Sequence, residues 1–378
     1  MTPRERLLTV LAGKIPDCVP VMPDCSNMIP ARLTGKPFWD LYLYQDPPIW
    51  KAYLDCARHF GFDVLMDGYV PITLPEEVDP NAAPWEPMIV YESPERLVVQ
   101  HCLQEHGRRR WSERVTVYYV ADPPTGNVPP AKIGLPPVPE RWRPVEGVKP
   151  WPGGGELLAL AKRELGDQGL FGVFCGTSCL LGNPDDIYSY YDDPEPWRRR
   201  SAELLEYFEQ RFHRLLALPV KPDFIATGAS GTLVFQTVKM FRELALPIVQ
   251  RITELAAAAG VPTHIHSCGP ERELVRICAE ETALTVIDPL EQLPMGDCDL
   301  GELKRRYGSR LVLKGNLHTT DTMLRGTPEQ VAAASRRAID QAGAGGRFIL
   351  STGDQCGRDT PDENIRAMVA TAREYGRY

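Results

Sequence analysis

The sequence predicts a (β/α)8 barrel, and three observations point to it. Eight short apolar runs recur along the 378 residues, each ending in small or polar residues. Amphipathic helical stretches such as PWRRRSAELLEYFEQRFHRLLAL and PEQVAAASRRAIDQAG lie between most of them. Near-continuous apolar strands alternating with helices indicate a parallel sheet with covered faces. No GxGxxG or Walker loop follows the first run, which argues against an open nucleotide-binding sheet. Eight strands in one chain then fit a closed barrel, and one barrel domain over residues 1–378 is expected.

The elements follow in order. TPRERLLTVLAGK opens a helix, with Thr2 at N-cap, Pro3 at N1 and Glu5 at N3, a capping box with a preset first φ angle. The strand-like runs are then VPVMPDC (19–25), DVLMDGY (63–69), GVFCGTS (172–178) and DFIATGAS (223–230). They continue with THIHSCG (263–269), LTVIDP (284–289), RLVLKGN (310–316) and RFILSTGDQC (347–356). Thr327-Pro-Glu-Gln and Thr360-Pro-Asp-Glu repeat the capping pattern after the seventh and eighth runs. Residues 85–150 break the alternation: RLVVQHCLQE and RRRWSERVTVYYVAD read as a β-hairpin, followed by a proline-rich run that excludes regular helix or central strand. This is expected to be an inserted, lid-like segment between the second and third barrel strands, lying over the barrel's mouth.

Composition narrows the partners. The formal charge is −8, which argues against nucleic acid or an anionic membrane. No unbroken apolar stretch is long enough to span a bilayer, and the N-terminus lacks the apolar region of a signal peptide. A cytoplasmic protein is expected. The ten cysteines show no disulfide-framework spacing. Cys18, Cys56, Cys278 and Cys298 read as small buried hydrophobes.

In a barrel, chemistry belongs at the C-terminal ends of the strands. Those ends carry Asp24 and Cys25, Asp67 and Tyr69, Cys175 and Ser178, Thr227 and Ser230, His266 and Cys268, Asp288, Asn316 and His318, and Asp354 with Cys356. Within THIHSCG, His264, His266 and Cys268 alternate, so a strand would point them one way. An imidazole and a thiolate two residues apart can share one ion, and Zn2+ takes N and S ligands. The third ligand would come from the eighth strand end, from Cys356 or from Asp354. Three protein ligands and one open position would mean catalytic zinc. The rival reading makes His264 and His266 core histidines bonded to backbone.

THIHSCG, KGNLHTTDTMLRGTPEQV, FILSTGDQCGRDTPDENIRAMVATAREYG and the N-terminal TPRERLLTVLAGKIPDCVPV together resemble the uroporphyrinogen decarboxylase superfamily, in its branch of corrinoid-dependent zinc methyltransferases. The decarboxylases carry an arginine-rich motif near the first strand, whereas this chain reads MPDCSNMIPARL with a lone arginine. The resemblance implies zinc held by His266 and Cys268. The family's usual third-ligand cysteine falls on Asp354, with Cys356 two residues later; Cys356 is the expected ligand and Asp354 the alternative. It further implies a cobamide carried by a partner corrinoid protein, since the chain has no Asp-x-His-x-x-Gly signature of its own.

The GDQCGRDTP loop resembles members that demethylate methoxylated aromatics. Trp85, Trp111, Tyr118, Tyr119, Trp142 and Trp151 could form an aromatic lid over such a substrate, although ordinary packing explains them too. Asp24, Asp67, Tyr188 and Asn316 are the expected positioning or proton-handling groups. Alternatives are methylation of a thiol from methylcobamide, a porphyrinogen-type decarboxylase and a non-catalytic metal-binding barrel; a homodimer is left open.

Overall fold

Each apolar run becomes a strand because its backbone pairs with a parallel neighbour while its side chains are buried. The computed structural model describes every residue except 69–71, 80, 106, 150–152, 177–180, 182 and 229–230. The strands are β1 (Val21–Met22), β2 (Val64–Met66), β3 (Gly169–Phe174), β4 (Phe224–Ala226), β5 (Thr263–His266), β6 (Val286–Asp288), β7 (Val312–Leu317) and β8 (Phe348–Thr352). They form one eight-stranded sheet, pairing in parallel from β2 through β8 and from β8 to β1. Helices including Glu195–Ala217, Leu246–Ala258, Arg272–Glu281, Leu300–Tyr307 and Pro328–Ala342 separate the strands from β3 onward. The (β/α)8 barrel is therefore present.

Asp63 closes the seam between β1 and β2. Its N–H donates to the Val21 carbonyl at 2.9 Å, and its carboxylate accepts the Val21 N–H at 2.8 Å. The same buried carboxylate accepts from Arg6 at 2.8 Å and from Arg373 at 3.0 Å, on the first helix (Pro3–Leu11) and the last (Asp362–Glu374). Between β2 and β3 the chains approach so closely that a Cβ on Gly169 would lie 1.9 Å from the Val64 carbonyl oxygen, so only glycine fits there.

Capping follows the sequence at two of three places. Thr2 and Thr327 form complete capping boxes with Glu5 and Gln330. Thr360 does not cap: the last helix starts with Pro361 at N-cap, and Thr360 is wholly buried.

The chain divides into two compact units. The barrel unit comprises residues 1–24, 57–72 and 154–378, and the second comprises 25–56 and 73–153. In place of the expected hairpin, the second unit holds a five-stranded antiparallel sheet. Its strands are Glu86–Glu92, Arg96–Glu105, Arg108–Tyr119, Thr125–Val128 and Arg143–Pro144. Prolines stop long strands but allow short ones at the sheet's edges. Alternation along Leu97-Val98-Val99 feeds two clusters, one with Leu43 and Ile89 and one with Val115 and Val117. The aromatics pack within this unit: Trp111 lies edge-on to Trp142 at 5.4 Å, Arg109 covers Trp142, and Arg110 covers Trp85. Tyr118 and Tyr119 pack against the two clusters. Trp151 lies outside the described residues.

Candidate metal and active site

The strand ends of the barrel unit bring a charged cluster together. β5 pairs with β6 so that His266 stands opposite Asp288. His266 Nδ1 lies 3.1 Å from Asp288 Oδ1, and His264 Nε2 lies 3.0 Å from the same oxygen. His264 Nδ1 reaches Asp67 Oδ2, beyond β2, at 2.7 Å. From β7, the buried Lys314 ammonium pairs with the other Asp288 oxygen. The two histidines therefore share a face, as alternation requires, and they bond to carboxylates rather than to backbone.

Electrostatics follow from burial and these partners. Burial pulls the His264 imidazole below its ordinary pKa against the upward pull of Asp67, with Lys314 and His266 adding to the decrease. Burial would raise Asp67, but the charge and hydrogen bond of His264 hold it below the usual carboxylate range. A neutral His264 has one N–H for two carboxylates, so its contact with Asp288 is made only when the group holds a second proton. Lys314 is lowered by burial, which Asp24, Asp67 and Asp354 partly oppose. His266 is raised: burial lowers it, but the hydrogen bond with Cys268 and the charges of Asp24 and Asp354 outweigh this.

On the far side of His266, Nε2 faces Asp354 Oδ1 at 3.7 Å. Cys268, Glu291 and Asp354 each offer a ligand atom, and these atoms lie within 4.8 Å of one another. Glu291, three residues past β6, was not anticipated; nothing in DPLEQLP distinguishes it from a loop carboxylate. It is buried, accepts the Gly269 N–H, and is raised by burial and by Asp354. One imidazole, one thiol and two carboxylates match zinc's ligand preferences. With Nδ1 directed at Asp288, His266 presents its Nε2 lone pair to an ion, the usual carboxylate–histidine arrangement behind a metal.

The other expected residues divide. Asp24 is near enough for its charge to act on His266 and Lys314; its N–H donates to Thr352 Oγ1 at 3.0 Å. Cys356, the expected third ligand, is not in the group. Its N–H donates to the Asp24 carbonyl at 2.8 Å, and its thiol is buried, pushed up to about 12 by desolvation, and lies against Thr352 and Thr360. The structure brings Asp354 to the cluster instead. Asn316 braces a loop: its Nδ2 donates to the Leu290 carbonyl at 2.8 Å and its own carbonyl accepts from Gln292 at 2.9 Å, on either side of Glu291. Tyr188, on the helix Pro184–Asp192, is 67% exposed and forms no hydrogen bond with the cluster among the described residues. Tyr69, Ser178 and Ser230 lie outside the described residues. The described cysteines are all free, and Cys18, Cys56, Cys278 and Cys298 are buried. Among the described residues, no helix is long and apolar enough to cross a membrane.

Comparison with known proteins adds five findings. Residues 225–375 match the family model "Uroporphyrinogen decarboxylase (URO-D)". A uroporphyrinogen decarboxylase from Azoarcus sp. (strain BH72) is 27% identical over 163 residues, covering 40% of this chain and 43% of that protein. From Methanosarcina mazei, a methylcobamide:CoM methyltransferase is 28% identical over 36% of this chain, and a methylated-thiol–coenzyme M methyltransferase 29% over 39%. These matches span 37% and 36% of the two methyltransferases, so the chain aligns with well under half of each curated relative. A solved methyltransferase from Methanosarcina mazei shares the fold, with a TM-score of 0.59, 17% identity and 99% of both chains covered. The match to the uroporphyrinogen decarboxylase family thus lies in residues 225–375, and both uroporphyrinogen decarboxylases and coenzyme M methyltransferases are among the proteins to which the chain is similar.

Proposed function

We propose that this protein is a zinc-assisted, corrinoid-dependent methyltransferase that demethylates an aryl methyl ether. The observation that carries the reading is the Cys268–Glu291–Asp354 group at the C-terminal ends of barrel strands, with His266 beside Asp354; three of these four donors would hold zinc and leave a fourth position for substrate. In the reaction, the methyl carbon–oxygen bond breaks, a cobalt–carbon bond forms on a cob(I)amide delivered by a partner corrinoid protein, and a phenolate leaves. Bound zinc would supply Lewis acidity at the substrate's heteroatom. The chain's residues do the rest. Asp288 holds His266 in one tautomer, Lys314 holds Asp288, and Asn316 fixes the loop that presents Glu291. Asp67 and His264 keep an exchangeable proton next to this group.

The ligand types favour oxygen chemistry. Two carboxylates with a single thiolate make a harder set than one rich in cysteine, and harder sites suit oxygen donors. The second reading, methylation of a thiol from methylcobamide, is favoured by the two Methanosarcina relatives whose names specify coenzyme M. Two assays on the zinc-loaded protein separate them: 2-methoxyphenol with cob(I)alamin, and methylcobalamin with 2-mercaptoethanesulfonate. Catechol release with methylcobalamin formation supports the first reading. Thioether formation alone supports the second, and neither product with full zinc occupancy would sink both.

A further inference from the structure

Ser267 stands between two candidate zinc donors, His266 and Cys268, just past the end of β5. Both neighbours are partly exposed, whereas Ser267 is only 2% exposed. Its hydroxyl donates to Glu271 Oε1 at 2.9 Å and accepts the Thr232 N–H at 2.9 Å. The same Glu271 oxygen accepts the Leu233 N–H at 2.9 Å. Thr232 and Leu233 open the single-turn helix Thr232–Phe235 that follows β4, and the first N–H groups of a helix find no partner within it. Ser267 and Glu271 therefore clasp the loop after β4 to the loop after β5. Val234 of that turn packs on the residue after Cys268, since a Cβ on Gly269 would lie 2.4 Å from its Cγ2.

The clasp uses a group that a structural core avoids. Glu271 is 1% exposed, and its Oε2 has no hydrogen-bond partner among the described residues. A carboxylate taken out of water in this way is costly, and Oε1 spends its hydrogen bonds on Leu233 and Ser267. The other side of the segment is held from the loop after β6. The Ser267 N–H donates to the Asp288 carbonyl at 2.8 Å, and the Gly269 N–H donates to the Glu291 carboxylate. Cys268 thus sits between two sets of bonds, one from each neighbouring loop. Removing the clasp leaves it fixed from one side only, and metal donors need to be held to within about 0.5 Å.

We propose that Ser267 and Glu271 are positioning residues for the metal site, holding the Cys268 thiol where it meets Glu291 and Asp354 around one ion. The inference rests on the methyl-transfer reading only for the identity of that ion, zinc. The test is chelator competition for Zn2+ on the purified full chain, with absorption of the Co2+-loaded chain, whose thiolate-to-metal charge-transfer band reports the Cys268 bond. Ser267→Ala leaves the Thr232 N–H and Glu271 without their shared partner, so zinc affinity should fall about 10–100-fold and the band should weaken. Glu271→Leu removes the acceptor and should do the same. Glu271→Gln keeps an oxygen for the Leu233 N–H and the Ser267 hydroxyl, so it should bind zinc nearly as wild type does. Thr327→Ala, which removes a cap from the helix Pro328–Ala342, should lower stability and leave zinc affinity unchanged, separating positioning from general loss of fold. If Ser267→Ala does not fold, the Glu271→Leu and Glu271→Gln pair decides alone. The proposal is overturned if Ser267→Ala and Glu271→Leu bind zinc with wild-type affinity, if Glu271→Gln loses as much as Glu271→Leu, or if Thr327→Ala weakens zinc as much as they do. Those results would leave the methyl-transfer reading standing, whereas a wild-type chain that takes no zinc would overturn both.

Discussion

Asp288 ties three side chains of the candidate site together: one oxygen serves two imidazoles and the other pairs with Lys314. Its role predicts a second tier of effects behind the ligands. His266→Ala, Cys268→Ala and Asp354→Ala should each lose zinc from the purified protein, and Glu291→Gln should bind it more weakly, as read by metal analysis. Cys356→Ser should retain zinc, because its buried thiol is turned to Thr352 and Thr360. Zinc loss in Cys356→Ser with retention in Asp354→Ala would reverse the ligand assignment. Asp288→Asn keeps the size but removes the charge that holds His266, so zinc affinity should fall about 10–100-fold in chelator competition. Unchanged affinity would mean that His266 is not oriented through Nδ1.

At the level of the element, caps and buried loop acids set local stability. Thr327 caps the helix Pro328–Ala342 reciprocally with Gln330, so Thr327→Ala should cost about 1 kcal/mol in denaturant unfolding. Glu271 enters the helix Arg272–Glu281 as a buried acid, pushed up to about 7 by desolvation, although the Leu233 N–H and Ser267 hydroxyl donate to it. Its folded pKa lies above the unfolded one, so the folded state holds the extra proton between about pH 4.5 and 7. Its contribution is complete below the unfolded pKa and is lost as pH rises through the folded one. Glu271→Gln should flatten the decline in Tm from pH 5 to pH 8 and leave the variant at least as stable as wild type at pH 8. An unaltered pH profile would show that Glu271 does not carry that slope.

Across the whole barrel unit, Asp63 joins the seam, the first helix and the last through one buried carboxylate. Removing one partner from a buried ionic group leaves uncompensated charge, so Asp63→Ala should cost about 3–5 kcal/mol. A loss below about 1 kcal/mol would mean that the seam closes without it. The barrel was legible in local pattern because each strand is buried on both faces and each helix on one, so period and apolarity report their surroundings. The capping boxes at Thr2 and Thr327 were legible for the same reason: donor and acceptor are three residues apart. His264 and His266 stand on β5, and their shared direction follows from the two-residue repeat, while Cys268 lies two residues past the strand's end. Other features depend on distances between segments remote in sequence. Glu291 joins Cys268 and Asp354, and His264 lies between Asp67 and Asp288, only because the strands pair in one register. That Asp354 rather than Cys356 lies beside Cys268 and Glu291 depends on the loop after β8, where Asp354 takes a φ of 103°, a backbone state that residue type does not announce. Thr360 shows the same limit, because its sequence is that of a cap while its hydroxyl is buried against the thiol of Cys356.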